Sequence, residues 1–375
     1  MLQRLLRFQL ILVTTALVVF VILPVAGLAQ QRGSMILSVA WSPDGTLLAS
    51  IADNGTIRVA DPDQNALTFQ FALTVSIPSA AVAWSSNGDS MAAGVGNQVY
   101  IWNTNTWQLT HQFTAGDLDG FFTPDGALVE IPEGMRSITW SDDSRYVITG
   151  SLSYLTTVWD NEESRVSYQA YDGSGGGPGR IWLGDGWLGD GATKLNVFSG
   201  ELILLAPDEI QNTFGIGGGP NATEARPNFS QIAWGTEFGY LLVFDLNTLY
   251  GVHGLEVTES VPPTPRRALT GISWNHSGEF ITAVSRDGEL YVVNLLTEEV
   301  ASVLTIDGQL HAVDWNPQTN QVTYGGVSSA GEPVLETVDV SGIAGVPDDT
   351  PTTADTPVAS QSPKHFQRMR MATHA

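Results

Sequence analysis

The chain has 375 residues, 16 basic and 39 acidic side chains, a net charge of −23 at pH 7 and no cysteine. Lack of cysteine excludes disulfides, thiolate metal sites, cysteine nucleophiles and a lipid-bearing cysteine anchor, and the acidic balance argues against a nucleic-acid binder, which needs cations facing phosphates. With 39 Gly, 11 Trp, 14 Phe and 9 Tyr, the composition describes a folded, turn-rich protein with a sizeable core.

The first predicted element is a targeting segment over residues 1–29. Arg4 and Arg7 precede an uncharged run, Phe8 to Leu23; Pro24 then breaks it, and Gly27 and Ala29 supply small residues before a cut ahead of Gln30. That order is a secretory signal. The rival is an uncleaved anchor, because the 22 residues from Phe8 to Ala29 suffice to cross a bilayer. Either reading predicts an exported, extracytoplasmic protein, secreted or anchored, with membrane contact only through residues 8–29.

A repeat follows. Val39-Ala40-Trp41-Ser42-Pro43-Asp44-Gly45 recurs around Trp84, Trp140, Trp274 and Trp315, and in degenerate form around Trp182. Each copy reads as a strand ending in a tight turn. The β-branched residue and the Trp share one face, and a small residue such as Ala40, Ala83, Thr139 or Ser273 lies on the other. The Asp-Gly and Asn-Gly pairs supply the positive φ of a hairpin turn. A second strand follows (Leu47 to Ser50, Tyr146 to Gly150), then a turn such as Asp53-Asn54-Gly55. The third strand ends in apolar residues and an Asp or Asn, as in Val158-Trp159-Asp160, Ile101-Trp102-Asn103 and Tyr291-Val292-Val293-Asn294. A fourth strand, such as Gln108 to Phe113, closes the unit.

On these motifs residues 36–340 resemble the WD-repeat β-propeller family, and Tyr291-Val292-Val293-Asn294 is close to the signature of a bacterial exported, YVTN-like propeller. The resemblance implies an all-β fold, a seven-bladed propeller of four-stranded antiparallel blades over residues 30–345. Six blades is the alternative, if 178–251 forms one irregular blade. In the fifth unit, aligning Glu237-Phe238-Gly239 with Asp-Asn-Gly puts Ile232-Ala233-Trp234 on the second strand. The seventh unit shows three strands; a fourth is expected from the residues just after the targeting segment, 30–35, or from Ser341–Pro347, with the second favoured because Gln-Gln-Arg-Gly-Ser-Met is poor for a strand, unless the blade is short. The Gly-His dipeptide of the family is missing, so the His of its buried hydrogen-bond network has no counterpart.

Repeat register assigns Trp41, Trp84, Trp140, Trp182, Trp274 and Trp315, with Trp159 and Asp160, to the structural core rather than to sugar stacking. Trp107 and Trp187 fall off that register and are less constrained. Residues 346–375 are Pro/Thr-rich and end in a basic patch that includes Lys364, His365, Arg368 and Arg370, as in a linker or disordered tail. The charge concentrates in residues 30–345, which carry net −25.

No motif assigns catalysis, a metal or a cofactor. Asp61-Pro62-Asp63 and Asp117-Leu118-Asp119 hint at calcium loops, but after Asp61 the required Gly and Glu places hold Ala66 and Ala72. The long connections Gly116–Gly134, Gly173–Arg180 and Glu256–Arg267 are expected on one rim, where function concentrates. Asp117, Asp119, Phe121 and Phe122 in the first, and Arg266 and Arg267 in the third, are the candidate contacts. The function this supports is a noncatalytic, monomeric protein-interaction scaffold in the envelope or at the surface, with a basic or cationic protein partner and no cofactor. A propeller enzyme of the metal-assisted hydrolase or lactonase type, or an extracellular ligand or glycan binder, is the alternative. The first needs acids and His at the axis, the second Trp faces open to solvent.

Overall fold

The computed structural model describes residues 34–348, except 74–78, 116–133, 152–154, 172–180, 190–192, 205–219, 229, 249–250 and 259–267. They fold into seven antiparallel sheets, each a blade whose strands pair in chain order. The first strands are Ile36–Trp41, Ala80–Trp84, Met135–Trp140, Ile181–Trp182, Pro220–Ala225, Leu269–Trp274 and Gly308–Trp315. Each touches the first strands of the blades on either side, and the last touches the first, so the seven surround one axis in a closed ring. Residues 181–256 form two blades, which removes the six-blade alternative. In the second of them, Gln231–Thr236 is the second strand and Tyr240–Asp245 the third.

In blades 1, 2, 3 and 6 the turn after the first strand is built by the residue that follows the Trp. The Ser42 hydroxyl accepts the Leu47 N–H at 2.9 Å, and Ser85 and Ser141 do the same for Ser90 and Tyr146. Asn275 fills this place in blade 6, its Oδ1 accepting the Phe280 N–H at 3.0 Å. All four side chains are buried, so each turn carries its own internal hydrogen-bond staple. The Gly of the turn takes the left-handed conformation, as at Gly45 with φ 71°.

The first-strand Trp rings fill the seams between blades. Trp84 packs among Ala49, Ile51, Ile57 and Val59 of blade 1, and Trp140 among Val99 and Ile101 of blade 2. Three indoles extend the seam with a hydrogen bond to the preceding blade's backbone: Trp84 Nε1 donates to the Ala40 carbonyl at 2.9 Å, Trp140 Nε1 to the Ala83 carbonyl at 3.3 Å and Trp274 Nε1 to the Glu224 carbonyl at 3.3 Å. Burying a Trp removes about 150–250 Å² from water, about 4–6 kcal/mol as an upper bound. Trp107, off the repeat register, is packed as well: it stacks on Phe69 at 4.7 Å and meets Trp84 edge-on. Trp187 lies under the Lys194 ammonium at 4.6 Å.

The seventh blade corrects one expectation. Its described strands are three, the outermost being Pro333–Asp339. Residues 341–347 do not add a fourth. Gly342, Ala344 and Gly345 take positive φ, which breaks extension, and Ile343–Gly345 form a 3-10 turn. That turn packs on the third and fourth strands of blade 6, where Asn294 Nδ2 donates to the Ala344 carbonyl at 2.9 Å.

Candidate functional site

The residue before each first-strand Trp faces the next blade. It is Ala40, Ala83 and Thr139 in blades 1 to 3, but Glu224, Ser273 and Asp314 at the matching places in blades 5 to 7. These three form a chain across four blades. Glu224 Oε2 accepts the Trp274 N–H at 2.9 Å, and its Oε1 lies 3.5 Å from the Ser273 hydroxyl. Ser273 Oγ lies 3.0 Å from Asp314 Oδ1 and accepts the Trp315 N–H at 3.1 Å. Asp314 Oδ2 accepts the Trp41 N–H at 2.7 Å, tying the last blade to the first. A serine hydroxyl carries one proton, and the shorter distance directs it to Asp314. The 3.5 Å contact from the Ser273 hydroxyl to Glu224 Oε1 is the longer and weaker branch of the same donor. Burial, and then the Asp314 charge, push Glu224 well above the ordinary carboxylate range, against the Trp274 and Ser273 hydrogen bonds. Burial pushes Asp314 up to about 6, against the Trp41 and Ser273 hydrogen bonds. Both carboxyls keep some surface toward solvent while protein surrounds them on the other sides. Each of the four carboxyl oxygens is engaged by a neighbouring blade. The arrangement is thus suited to holding the ring together, and it lay outside what the repeat pattern displays, because blade 5 has no Trp in its first strand. Asp314, between Val313 and Trp315, was the one visible signal.

Among the described residues no three His, Asp or Glu side chains converge as metal ligands. Asp61, at the start of one suspected calcium loop, caps its turn by accepting the Gln64 N–H at 3.0 Å. Asp160 does the same for Glu162 and Glu163, both at 3.0 Å. It is buried, at 2% exposure, and its Oδ2 also receives Arg145 Nη2 at 2.7 Å and Nε at 3.1 Å. Burial alone would raise Asp160; the Arg145 hydrogen bonds and the turn N–H groups outweigh it and hold the carboxyl below its ordinary value. Trp41, Trp84, Trp140, Trp159, Trp182, Trp274 and Trp315 are each at most 9% exposed, leaving no open indole face at these positions.

Asp117, Asp119, Phe121, Phe122, Arg266 and Arg267 lie outside the described residues. The stems of their loops are described. The Ala115 N–H bonds the Asn97 carbonyl at 2.8 Å, Val257 bonds Gly239 at 2.9 Å, and the Ala268 carbonyl accepts the Arg286 N–H at 3.0 Å. Each stem is therefore pinned to a second-to-third-strand turn, which puts both loop bases on one face of the ring.

A third feature lies where the ring closes. Between blades 7 and 1 is a cavity of about 110 Å³, lined by Ile36, Leu48, Ala60, Leu67, Pro333 and Leu335 and also by the polar Ser34, Ser50, Asn54, Thr56 and Arg58.

Seven blades, Trp-filled seams and a third-strand Asp or Asn capping the next turn define a β-propeller built from repeats. The chain carries a WD repeat within a fold of that type. The family profile for the WD domain, G-beta repeat, matches residues 24–61. THO complex subunit 3 of Arabidopsis thaliana is 22% identical over 308 residues, covering 79% of this chain and 88% of that protein. A Periodic tryptophan protein 2 homolog of Neurospora crassa is 26% identical over 132 residues, covering 34% of this chain and 14% of that protein. The Anaphase-promoting complex subunit cdc20 of Dictyostelium discoideum is 24% identical over 119 residues, 32% of this chain and 21% of the relative. These relatives overturn the expectation of an exported, extracytoplasmic protein: they are eukaryotic nuclear and cytoplasmic WD proteins, not exported ones. Residues 8–29 lie outside the described residues, and among those described no helix is long and apolar enough to cross a membrane.

Proposed function

We propose that the chain is a noncatalytic scaffold that binds protein partners through the face carrying loops 116–134 and 256–267. The observation that carries this reading is the pinning of both loop bases to the same face of a closed ring, which sets two long segments on a fixed frame. Likeness to THO complex subunit 3 over most of both chains supports it, since that protein is by name part of a complex. Phe121 and Phe122 are the apolar contacts, flanked by Asp117 and Asp119; Arg266 and Arg267 are the cationic ones. Net −25 over residues 30–345 favours a basic partner and an association rate that falls with salt.

The test is quantitative affinity purification with the full chain, beside a double variant Phe121→Ser/Phe122→Ser, at two ionic strengths. Saturable capture of a defined protein, lost in the variant and weakened at least about tenfold by raised salt, is the expected result. Failure of both proteins to capture a partner, with a metal or small molecule raising the melting temperature, would overturn the scaffold reading.

A further inference from the structure

A cavity of about 480 Å³ lies between blades 1 and 2, on the face opposite the loops, where first strands turn into second and third into fourth. Pro43, Leu47 and Trp84 supply its apolar wall, Asp44 of blade 1 and Asp89 of blade 2 its charge, and none of the residues lining it is cationic. The side-chain donors on the wall are engaged. The Ser42 hydroxyl donates to Asp44 Oδ1 at 2.5 Å, and the Thr104 hydroxyl to the Gly88 carbonyl at 2.6 Å. The Asn87 and Asn105 amides donate to Asp89, at 3.2 and 3.4 Å. Acceptors are left over. The bonds that Ser42 and Thr46 give to Asp44 all end on Oδ1, so among the described residues no other residue donates to Oδ2. Both contacts to Asp89 are longer than the about 2.7–2.9 Å at which a carboxylate takes a charged donor. A ligand that satisfies this wall brings donors and positive charge at one end and an aliphatic stem at the other.

The next seam shows a cation of that kind in use. Arg145 of blade 3 stands at the place of Asp89, five residues after the first-strand Trp, and its guanidinium grips Asp160 through Nε at 3.1 Å and Nη2 at 2.7 Å. Blade 2 has no such cation at this place, and the two carboxylates are particular to its seam with blade 1. The places of Asp44 and Asp89 hold Asn87 and Arg145 between blades 2 and 3, and Gln318 and Thr46 between blades 7 and 1.

We propose that this cavity binds an arginine side chain presented by a partner protein. A planar guanidinium with five N–H donors can serve carboxylates that approach from two different blades, while its stem lies against Pro43, Leu47 and Trp84. The net −25 of residues 30–345 draws such a partner in. The inference shares with the scaffold reading only that the partner is a protein. It concerns the opposite face, and its test uses neither a partner nor a loop residue, so the two fail separately.

The full chain is labelled with fluorotryptophan, the Trp84 signal is assigned with Trp84→Phe, and N-acetyl-arginine methylamide is titrated in by fluorine NMR. A saturable shift of the Trp84 signal is expected, with affinity at least about tenfold weaker for the neutral citrulline analogue and for Asp44→Asn/Asp89→Asn. The Asp44→Asn turn has a precedent in the chain: Asn87 fills the matching place, its Oδ1 accepting the Ser85 hydroxyl at 2.8 Å and the Asp89 N–H at 3.1 Å. Glu201→Gln/Glu299→Gln, which removes the same charge from exposed positions on blades 4 and 6, should bind like the parent. Absence of a saturable shift, equal affinity for the arginine and citrulline compounds, equal loss in both double variants, or a response to calcium chloride in place of the arginine compound would overturn the proposal.

Discussion

Replacing Asp314 by Asn tests the cross-blade chain in a way that hydrogen bonding alone cannot mimic. The amide keeps the geometry: its oxygen can accept the Trp41 N–H and its nitrogen can donate to Ser273 Oγ. What it removes is titration. Asp314 has an ordinary pKa of 3.8 and is raised to about 6 in the fold. Between those values the folded protein binds more protons than the unfolded chain, so this carboxyl's contribution is complete below about pH 4 and is lost as pH rises through about 6. The gap corresponds to about 3 kcal/mol. Glu224 titrates with it, because its own rise depends partly on the Asp314 charge. Urea unfolding followed by Trp fluorescence, at pH 4.5, 6 and 7.5 and fixed ionic strength, gives the stability of each protein. The remaining surface carboxylates contribute equally to both and cancel in the difference. The Asn variant is expected to gain on the parent by about 2–3 kcal/mol between pH 4.5 and 7.5. A difference that does not change with pH would refute the assignment of a raised pKa to this buried chain.

Arg145→Met leaves Asp160 buried with only its turn N–H groups; a loss of about 2 kcal/mol is expected, reduced from a fully buried pair because Arg145 is partly exposed. The Asp160 pKa is lowered, so its contribution is present near neutral pH and is lost as pH falls below about 4; parent and variant stabilities in urea should converge there. Gly45→Ala places a Cβ in a left-handed turn, 2.5 Å from Asn316 Oδ1, the residue whose Nδ2 holds the Gly45 carbonyl across the closing seam. It should cost about 2–3 kcal/mol and lower the melting temperature, while the same change at Gly96, with nothing within 4 Å, should cost only about the backbone part. Trp84→Phe removes the indole bond to Ala40 and part of a packed ring, for an expected loss of about 2–3 kcal/mol by chemical denaturation.

Blade architecture was legible because one residue type recurs in one structural role. A Trp at the end of the first strand must fill a seam, a Ser must staple the turn, and a third-strand Asp or Asn must cap the next one. Where the role is filled differently, the pattern fades. Blade 4 has first and second strands of two and three residues, and Trp182 donates to the Asp142 carboxylate instead of a carbonyl. Blade 5 begins Pro220–Ala225 with Glu224 at the place before the absent Trp, so neither its first strand nor its carboxyl stood out. Ring closure was not readable from propensity either. Val340 to Val346 looks strand-like in part, yet Gly342 and Gly345 turn the chain onto blade 6. Trp107 seemed unconstrained because its partners, Phe69 and Trp84, are distant in sequence and meet only when blades 1 and 2 pack.

Binding of a protein partner through the loop-bearing face of the seven-bladed ring is the proposal that one titration tests best. The most direct measurement is the dissociation constant for the captured partner, with the parent and with Phe121→Ser/Phe122→Ser, as ionic strength rises from 50 to 500 mM, roughly a threefold fall in Debye length. The account predicts binding that weakens steadily with salt for the parent, and loss of at least about 2 kcal/mol of affinity in the variant at every ionic strength. Affinity indifferent both to salt and to removal of the two phenylalanines would contradict it.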